Sequence, residues 1–286
     1  MAEYVIFADS SVDLPLEEIN RYGLQIVNLH LFIGGNEENI DTLDSHAFYQ
    51  RLRAGEVAST SAPSPEEYTE KMRPVLDAGK DILYLGFSEG LSCSYNNGKL
   101  AIEELAEQYP DRKIYPISTK CASTGHGLLA VLAARKQQAG ATIEEVRDWV
   151  IDTLPHLVHW FTVDDLMFLK RGGRISAVTA VAGTMLGIKP ILHVDDEGHL
   201  INMSKVRGRK ASLQTMVDKV RQTSIDPASQ TMAICHGDCP EDAQWIAEKL
   251  KAELNVPEVI IAPTGTVIGA HSGPGTIAMF YIGTER

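Results

Sequence analysis

The sequence predicts an α/β protein with two domains, and three observations lead to this prediction. The chain has 286 residues, which suits one large or two ordinary domains of about 100–200 residues each. Up to residue 155, short apolar runs alternate with helical segments, a pattern typical of a mostly parallel sheet covered by helices on both faces. After Pro155 the pattern becomes α+β. We therefore expect residues 1–155 to form an N-terminal α/β/α domain and residues 156–286 a C-terminal α+β domain with a mixed sheet.

The elements of the first domain follow from apolar runs and helix-start signals. Ser64 precedes Pro65 and lies three residues before Glu67, so it predicts an N-cap with a capping box. Thr142 and Glu145 repeat this box before the last helix. The predicted strands are residues 4–8, 24–33, 82–87 and 113–117. The predicted helices are residues 16–21, 45–53, 65–78, 95–108, 127–138 and 143–154.

The second domain is predicted in the same way. Residues 191–194 and 200–205 form a hairpin that turns at Asp196-Glu197-Gly198. Further strands are predicted at residues 158–162, 232–236, 259–261 and 276–281. Helices are predicted at residues 164–169, 178–186, 212–221 and 241–254.

Composition excludes several classes of protein. Apolar residues make up 44% and charged residues 22%, so general disorder is excluded. The net charge of −12 repels phosphate, which argues against non-specific binding of nucleic acid or anionic membranes. No apolar run is long enough to span a bilayer, and the N-terminus lacks the basic region of a signal peptide. Four cysteines do not make a disulfide scaffold, so we expect a cytoplasmic protein with reduced thiols.

Three hydroxyl-rich segments precede predicted helices: residues 10–11, 59–61 and 92–94. Ordinary capping and turn chemistry explains each one alone. Ligands of such sheets bind beyond the carboxyl ends of the strands, and hydroxyls with helix N-termini suit an anion held without a metal. Together the segments therefore favour an anion site.

A glycine-rich loop is predicted at residues 268–275. Its backbone can approach a ligand closely, and His271 within it can donate a charge-assisted hydrogen bond to an anion. Two basic segments, residues 170–174 and 205–210, interrupt the acidic chain. They form either a solvated face or a docking surface for an acidic partner.

Several signatures of catalysis are missing from the sequence. There is no nucleotide-binding Gly-x-x-x-x-Gly-Lys-Ser/Thr loop, no Gly-x-Ser-x-Gly elbow and no His-Glu-x-x-His motif. The segment from Cys235 to Cys239 lacks the paired spacing of a zinc framework. We therefore expect no metal and no cofactor.

Taken together, the motifs resemble those of the DegV family, whose members include the fatty-acid-binding subunits of bacterial fatty acid kinase. The matching segments appear in family order over nearly the whole chain. They are residues 9–15 (DSSVDLP), 59–65 (STSAPSP), 90–95 (GLSCSY), 169–176 (LKRGGRIS), 188–191 (IKPI), 205–208 (KVRG) and 269–275 (GAHSGPG). Two departures are Ala62, where glutamine is frequent, and Ser118-Thr119-Lys120, in place of a more usual Asp-Ser pair.

The resemblance implies a two-domain DegV-like fold that buries a long-chain fatty acid between or within its domains. It implies no catalysis by this chain, which would present the acyl carboxylate to a separate ATP-dependent kinase for acyl phosphate formation and phospholipid synthesis. The expected ligand-binding residues are Thr60, Ser61, Ser92, Ser94, His271 and Ser272. The expected kinase-docking residues are Arg174, Arg207 and Arg209.

Two alternatives stay open from the residues themselves. A stand-alone acyl hydrolase would use Ser94 or Thr60 as nucleophile and His271 as base. A dihydroxyacetone-type phosphotransferase subunit would bind its substrate through a histidine. A long apolar tunnel would favour the acyl chain, and a small polar cavity would favour the triose.

Overall fold

The computed structural model describes residues 3–176 and 187–286, which contain three sheets and ten α-helices. The strands are β1 (Tyr4–Asp9), β2 (Gln25–Val27), β3 (His30–Ile33), β4 (Asn36–Glu38), β5 (Ala58–Ser61), β6 (Asp81–Gly86), β7 (Ile114–Ser118), β8 (Leu157–Thr162), β9 (Ile188–Val194), β10 (Leu200–Arg207), β11 (Thr231–His236), β12 (Glu258–Pro263) and β13 (Ile277–Ile282). The helices are α1 (Leu16–Tyr22), α2 (Ser45–Arg53), α3 (Pro65–Asp77), α4 (Ser94–Gln108), α5 (Ser123–Gln138), α6 (Ile143–Thr153), α7 (Leu166–Arg171), α8 (Arg209–Thr223), α9 (Pro240–Leu254) and α10 (Thr266–Ser272). The predicted helix at 178–186 lies outside the described residues. Within the described ranges, no helix has both the length and the apolar character needed to cross a membrane.

The first sheet is parallel, with strand order β2-β1-β6-β7. Its strands are buried on both faces, so alternate side chains enter different cores. Ile82 and Tyr84 of β6 pack beneath α3 and α4, while Leu83 and Leu85 pack on the side of α5 and α6. The capping boxes predicted at Ser64 and Thr142 start α3 and α6. The predicted α/β class and parallel sheet are confirmed.

The second sheet is mixed, with strand order β10-β9-β8-β13-β11-β12. Only β11 and β12 run parallel to each other, and the other neighbours are antiparallel. Helices α8 and α9 cover one face, and α5 covers the other. The predicted mixed sheet is confirmed. All strands of this sheet follow residue 156 and all other strands precede residue 119, so we propose to keep the domain boundary between residues 155 and 156.

Helix α5 is shared by the two sheets, because it contacts β1 on one side and β8, β11 and β13 on the other. It is therefore buried nearly all round, and its apolar side chains follow no single stripe. At Gly125 a Cβ atom would lie 2.3 Å from the Phe280 ring, so only glycine allows the helix this close to the second sheet. The two sheets consequently enclose a common core.

A third, antiparallel sheet with strand order β4-β3-β5 was not predicted. The predicted strand 24–33 is two strands, because the chain leaves the first sheet after Val27 and pairs β3 with β4 and β5 instead. Leu31 and Ile33 then pack against Phe48 and Tyr49 of α2. The predicted loop 268–275 was also partly wrong, since α10 extends to Ser272.

Candidate functional site

A cavity of about 280 Å³ lies between the second sheet and the segments that follow β2, β5, β6 and β7, just below the roughly 300–1,000 Å³ usual for small-molecule sites. Strand register arranges its inner wall in levels. Cys235, Ala278 and Phe161 are aligned across three neighbouring strands. Phe280 and His159 form the next level, further from Thr276. Four residue steps separate Thr276 from Phe280, which corresponds to about 13 Å of depth, so the cavity is elongated. Most of the side chains that line it are apolar.

Polar side chains gather at the end of the cavity near Thr276. Thr60 Oγ1 and His271 Nε2 lie 2.7 Å apart, within hydrogen-bond distance. Thr60 is placed by β5, which pairs it with Leu31, and His271 by the last turn of α10. Ser61, Ser92 and Ser272 line the same cavity. The structure thus brings five of the six predicted ligand residues to the lining of one cavity, and we call its part at the Thr60–His271 pair the mouth.

Ser94 is the predicted ligand residue that does not line the cavity. Its side chain is fully buried at the start of α4, and its hydroxyl lies 2.7 Å from the Tyr68 hydroxyl. Ser92, two residues earlier, is half-buried, and its hydroxyl accepts a hydrogen bond from the Ser94 backbone N–H. Within this tight turn, the side chain of Ser92 therefore faces the cavity and that of Ser94 faces the core.

His271 is neutral near pH 7 in this structure. Burial, with a smaller contribution from the nearby Arg174 guanidinium, lowers the pKa of its imidazole to about 4. A neutral imidazole cannot donate the charge-assisted hydrogen bond that the sequence analysis expected from His271. The fixed positive charge belongs to Arg174, because an arginine stays protonated even though burial lowers its pKa.

Arg174 does not project from the surface, as a docking residue would. It is half-buried and lines the cavity. Its Nε donates to the Leu91 carbonyl at 3.0 Å, and a second N–H donates to the Gly172 carbonyl. The sequence identified Arg174 as a functional residue but did not predict the direction of its side chain, because Gly172 and Gly173 allow the turn either to project or to fold back.

The other two predicted docking arginines differ from each other. Arg207 is exposed at the end of β10. Arg209 is half-buried, where it donates to Asp242 and to the Gly275 carbonyl. Only Arg207 therefore projects from the surface as the docking hypothesis requires.

Two hydroxyls lining the cavity have no oxygen or nitrogen partner among the described residues. Ser272 Oγ and Thr264 Oγ1 are both buried, and Thr264 has only the Cys235 thiol beside it. Because an unpaired buried polar atom costs about 1–3 kcal/mol, such atoms favour a polar ligand group or water nearby. Thr264 was missed by the sequence analysis, and no motif marked it. No cluster of three or more His, Cys, Asp or Glu side chains suited to a metal ion occurs within residues 3–176 and 187–286.

Comparison with known proteins places this geometry in a family. The model of the DegV family of uncharacterised proteins matches residues 3–284. A DegV domain-containing protein of Clostridium perfringens is 41% identical, over 100% of this chain and 99% of its own. The structure of a DegV family protein from Thermus thermophilus, described as binding fatty acid, is 27% identical, with a TM-score of 0.87 over 99% of this chain and 100% of that chain. A DegV family protein of Ruminococcus gnavus, solved with vaccenic acid, is 28% identical, with a TM-score of 0.86 over 97% and 99% of the two chains. This chain belongs to the DegV family.

Proposed function

We propose that this protein binds a long-chain fatty acid, with the acyl chain in the cavity against the second sheet and the carboxylate at the mouth. The observation that carries this proposal is an elongated apolar cavity that ends at the Thr60–His271 pair beside Arg174. The fatty acids associated with the Thermus and Ruminococcus relatives support it. No cofactor is part of the proposal.

The energetics of chain burial agree with this ligand. A C16–C18 chain has roughly 15–17 methylene and methyl carbons beyond its carboxyl group, and each contributes about 0.8 kcal/mol when it leaves water, so the gross transfer is on the order of 12–14 kcal/mol. Ordering the flexible chain offsets part of this free energy. The carboxylate needs several donors because it is costly to desolvate unpaired. The hydroxyls of Thr60, Ser61, Ser92 and Ser272, together with Arg174, supply them.

The two alternatives have less support. The Thr60–His271 pair resembles a nucleophile and its base, but among the described residues no carboxylate is bonded to His271 to orient it. Its Nδ1 instead faces Gly172, where a Cβ would lie only 2.3 Å away. For a triose, the Phe161, Ala278 and Phe280 wall is too apolar.

We further propose that a separate ATP-dependent kinase phosphorylates the bound acid in the cytoplasm, for phospholipid synthesis. The family resemblance supports this division of labour, as does the missing nucleotide-binding loop. All four cysteines are free thiols, as is usual in a reducing compartment. The exposed Arg207 is the proposed docking group, because Arg174 lines the cavity and Arg209 is ion-paired with Asp242.

The first experiment identifies the ligand. Protein purified from bacteria is expected to release a stoichiometric fatty acid into organic solvent, detected by mass spectrometry. Ala278→Phe places a ring in the middle of the cavity and should reduce this occupancy strongly. A wild-type protein that yields no acyl chain and does not bind added oleic acid would refute the proposed function.

The second experiment tests docking. Arg207→Glu is expected to reduce acyl phosphate formation by the cognate kinase, while oleate binding and thermal stability stay unchanged, because an exposed rim charge acts mainly on association. Added salt should weaken the wild-type complex as well. Lys251→Glu, an equal charge change at the exposed end of α9, is the control. Normal kinase activity with Arg207→Glu at every protein concentration would contradict the docking role.

A further inference from the structure

Residues 87–94 form one side of the cavity mouth, and we call them the wall segment. Phe87, Leu91, Ser92 and Cys93 of this segment line the cavity. The segment connects β6 to α4 and has no regular structure over most of its length. Hydrogen bonds to other elements hold its shape. Ser88 donates to the Cys121 and Gly198 carbonyls, and the Leu91 carbonyl accepts from Arg174. The two ends of the segment are held separately.

One buried carboxylate reaches both ends of the wall segment. Asp9, at the end of β1, is fully buried, and its Oδ2 accepts a hydrogen bond from the Phe87 backbone N–H at 2.7 Å. Its Oδ1 accepts a hydrogen bond from the Tyr68 hydroxyl at 2.5 Å. Tyr68 in turn lies 2.7 Å from the Ser94 hydroxyl. Asp9 thus holds the first residue of the segment directly and the last one through Tyr68.

A second tyrosine binds the same carboxylate without touching the wall segment's polar groups. The Tyr84 hydroxyl lies 3.0 Å from both Asp9 oxygens and 3.2 Å from the Tyr68 hydroxyl. Gly98 makes room for it, since a Cβ there would lie 2.9 Å from the Tyr84 hydroxyl oxygen. Tyr68 and Tyr84 therefore form a natural matched pair: both donate to Asp9, and only Tyr68 continues to Ser94.

The carboxylate is expensive to bury. Desolvation, opposed by hydrogen bonds from Tyr68, the Phe87 N–H, Tyr84 and Ser94, raises the pKa of Asp9 to about 6. An apolar side chain would fill a core at lower cost, and some buried polar groups are retained because they specify one conformation.

We propose that Asp9 is a positioning residue for fatty-acid recognition, holding both ends of the wall segment so that Ser92 stays at the mouth. The inference rests on the proposed fatty-acid binding. It assigns Ser94 a role through Tyr68 in place of direct contact with the ligand. It also predicts that the Tyr68–Ser94 arm of the network acts on the carboxylate more than on the acyl chain, because Ser94 bonds to Ser92 at the mouth, whereas Phe161, Ala278 and Phe280 belong to the second sheet.

The test compares Tyr68→Phe with Tyr84→Phe, using oleic acid and oleyl alcohol as probes. Tyr68→Phe is expected to weaken oleate binding by roughly three- to tenfold and to change alcohol binding by less than about twofold. Tyr84→Phe should leave the ratio of acid to alcohol affinity unchanged, even if it lowers the melting temperature as much as Tyr68→Phe does. Ser94→Ala should behave like Tyr68→Phe, and the double variant should be no worse than either single one.

The outcomes separate the two hypotheses. A wild-type protein that binds neither probe would overturn the proposed function and this inference with it. A wild type that binds oleate, with equal acid-to-alcohol ratios in Tyr68→Phe and Tyr84→Phe, would overturn the inference alone. Asp9→Asn should shift the ratio at least as far as Tyr68→Phe, and the tyrosine pair decides the matter if that variant does not fold.

Discussion

Replacing Gly172 with alanine is expected to weaken oleate binding by roughly 10- to 100-fold. Gly172 has ordinary backbone angles, so alanine causes no strain of its own. Its Cβ, however, would lie 2.3 Å from His271 Nδ1, and the three nearest atoms all belong to that imidazole. The ring must move, and its 2.7 Å contact with Thr60 at the mouth is lost. Binding is measured by calorimetry with the delipidated protein.

The control is built into the same contact. In a His271→Ala background, Gly172→Ala has no imidazole to displace, so the second substitution should cost almost nothing. His271→Ala alone should weaken oleate binding and leave oleyl alcohol nearly unaffected. If Gly172→Ala were equally harmful with and without the imidazole, α7 rather than His271 would carry the effect, and the proposed role of His271 would be wrong.

Between about pH 4 and pH 7, the wild-type protein is expected to lose stability relative to Asp13→Asn as the pH rises. Asp13 is buried, accepts a hydrogen bond from Ser123, and has its other oxygen against Gly265. Burial raises the pKa of Asp13 to about 7. Since the unfolded carboxyl titrates near its ordinary value of about 3.9, the folded state binds the extra proton in this window.

The sign follows from linkage. A raised carboxyl pKa stabilises the folded protein below the unfolded pKa, and this contribution is lost as the pH rises through the folded pKa. The full difference is on the order of 4 kcal/mol for a shift of about three pH units. Asp9, with its pKa raised to about 6, acts in the same direction in both proteins and cancels in the comparison. Urea unfolding at a series of pH values measures the difference.

Asp238 provides a control of opposite sign. The hydrogen bonds from His46 and Arg53 oppose its desolvation and lower the pKa of its carboxyl. Its stabilising contribution is therefore lost as the pH falls, so wild type and Asp238→Asn should converge under acidic conditions. A stability difference between wild type and Asp13→Asn that does not change from pH 4 to pH 7 would show that Asp13 is ionised throughout.

The sequence by itself determined the elements whose signals are local. The capping boxes at Ser64 and Thr142 begin helices because their hydrogen bonds span only three residues. Alternating apolar segments likewise predicted the parallel first sheet and the mixed second sheet, because a strand buried on one or both faces has a recognisable pattern of apolar residues. The hydroxyl-rich and glycine-rich motifs identified five residues that do line one cavity.

Only the tertiary structure decided where individual side chains point. Ser92 and Ser94 belong to one motif, yet the first faces the cavity and the second bonds to Tyr68, a residue on another helix. Arg174 turns inward because carbonyls of Leu91 and Gly172 accept its N–H groups. Residues 24–33 divide between two sheets because β2 pairs with β1 and β3 pairs with β5. Strand β5 lies far from β3 in the sequence, so this pairing could not be predicted. These hydrogen-bond partners are distant in sequence. A local sequence pattern therefore does not predict the side-chain orientations that they select.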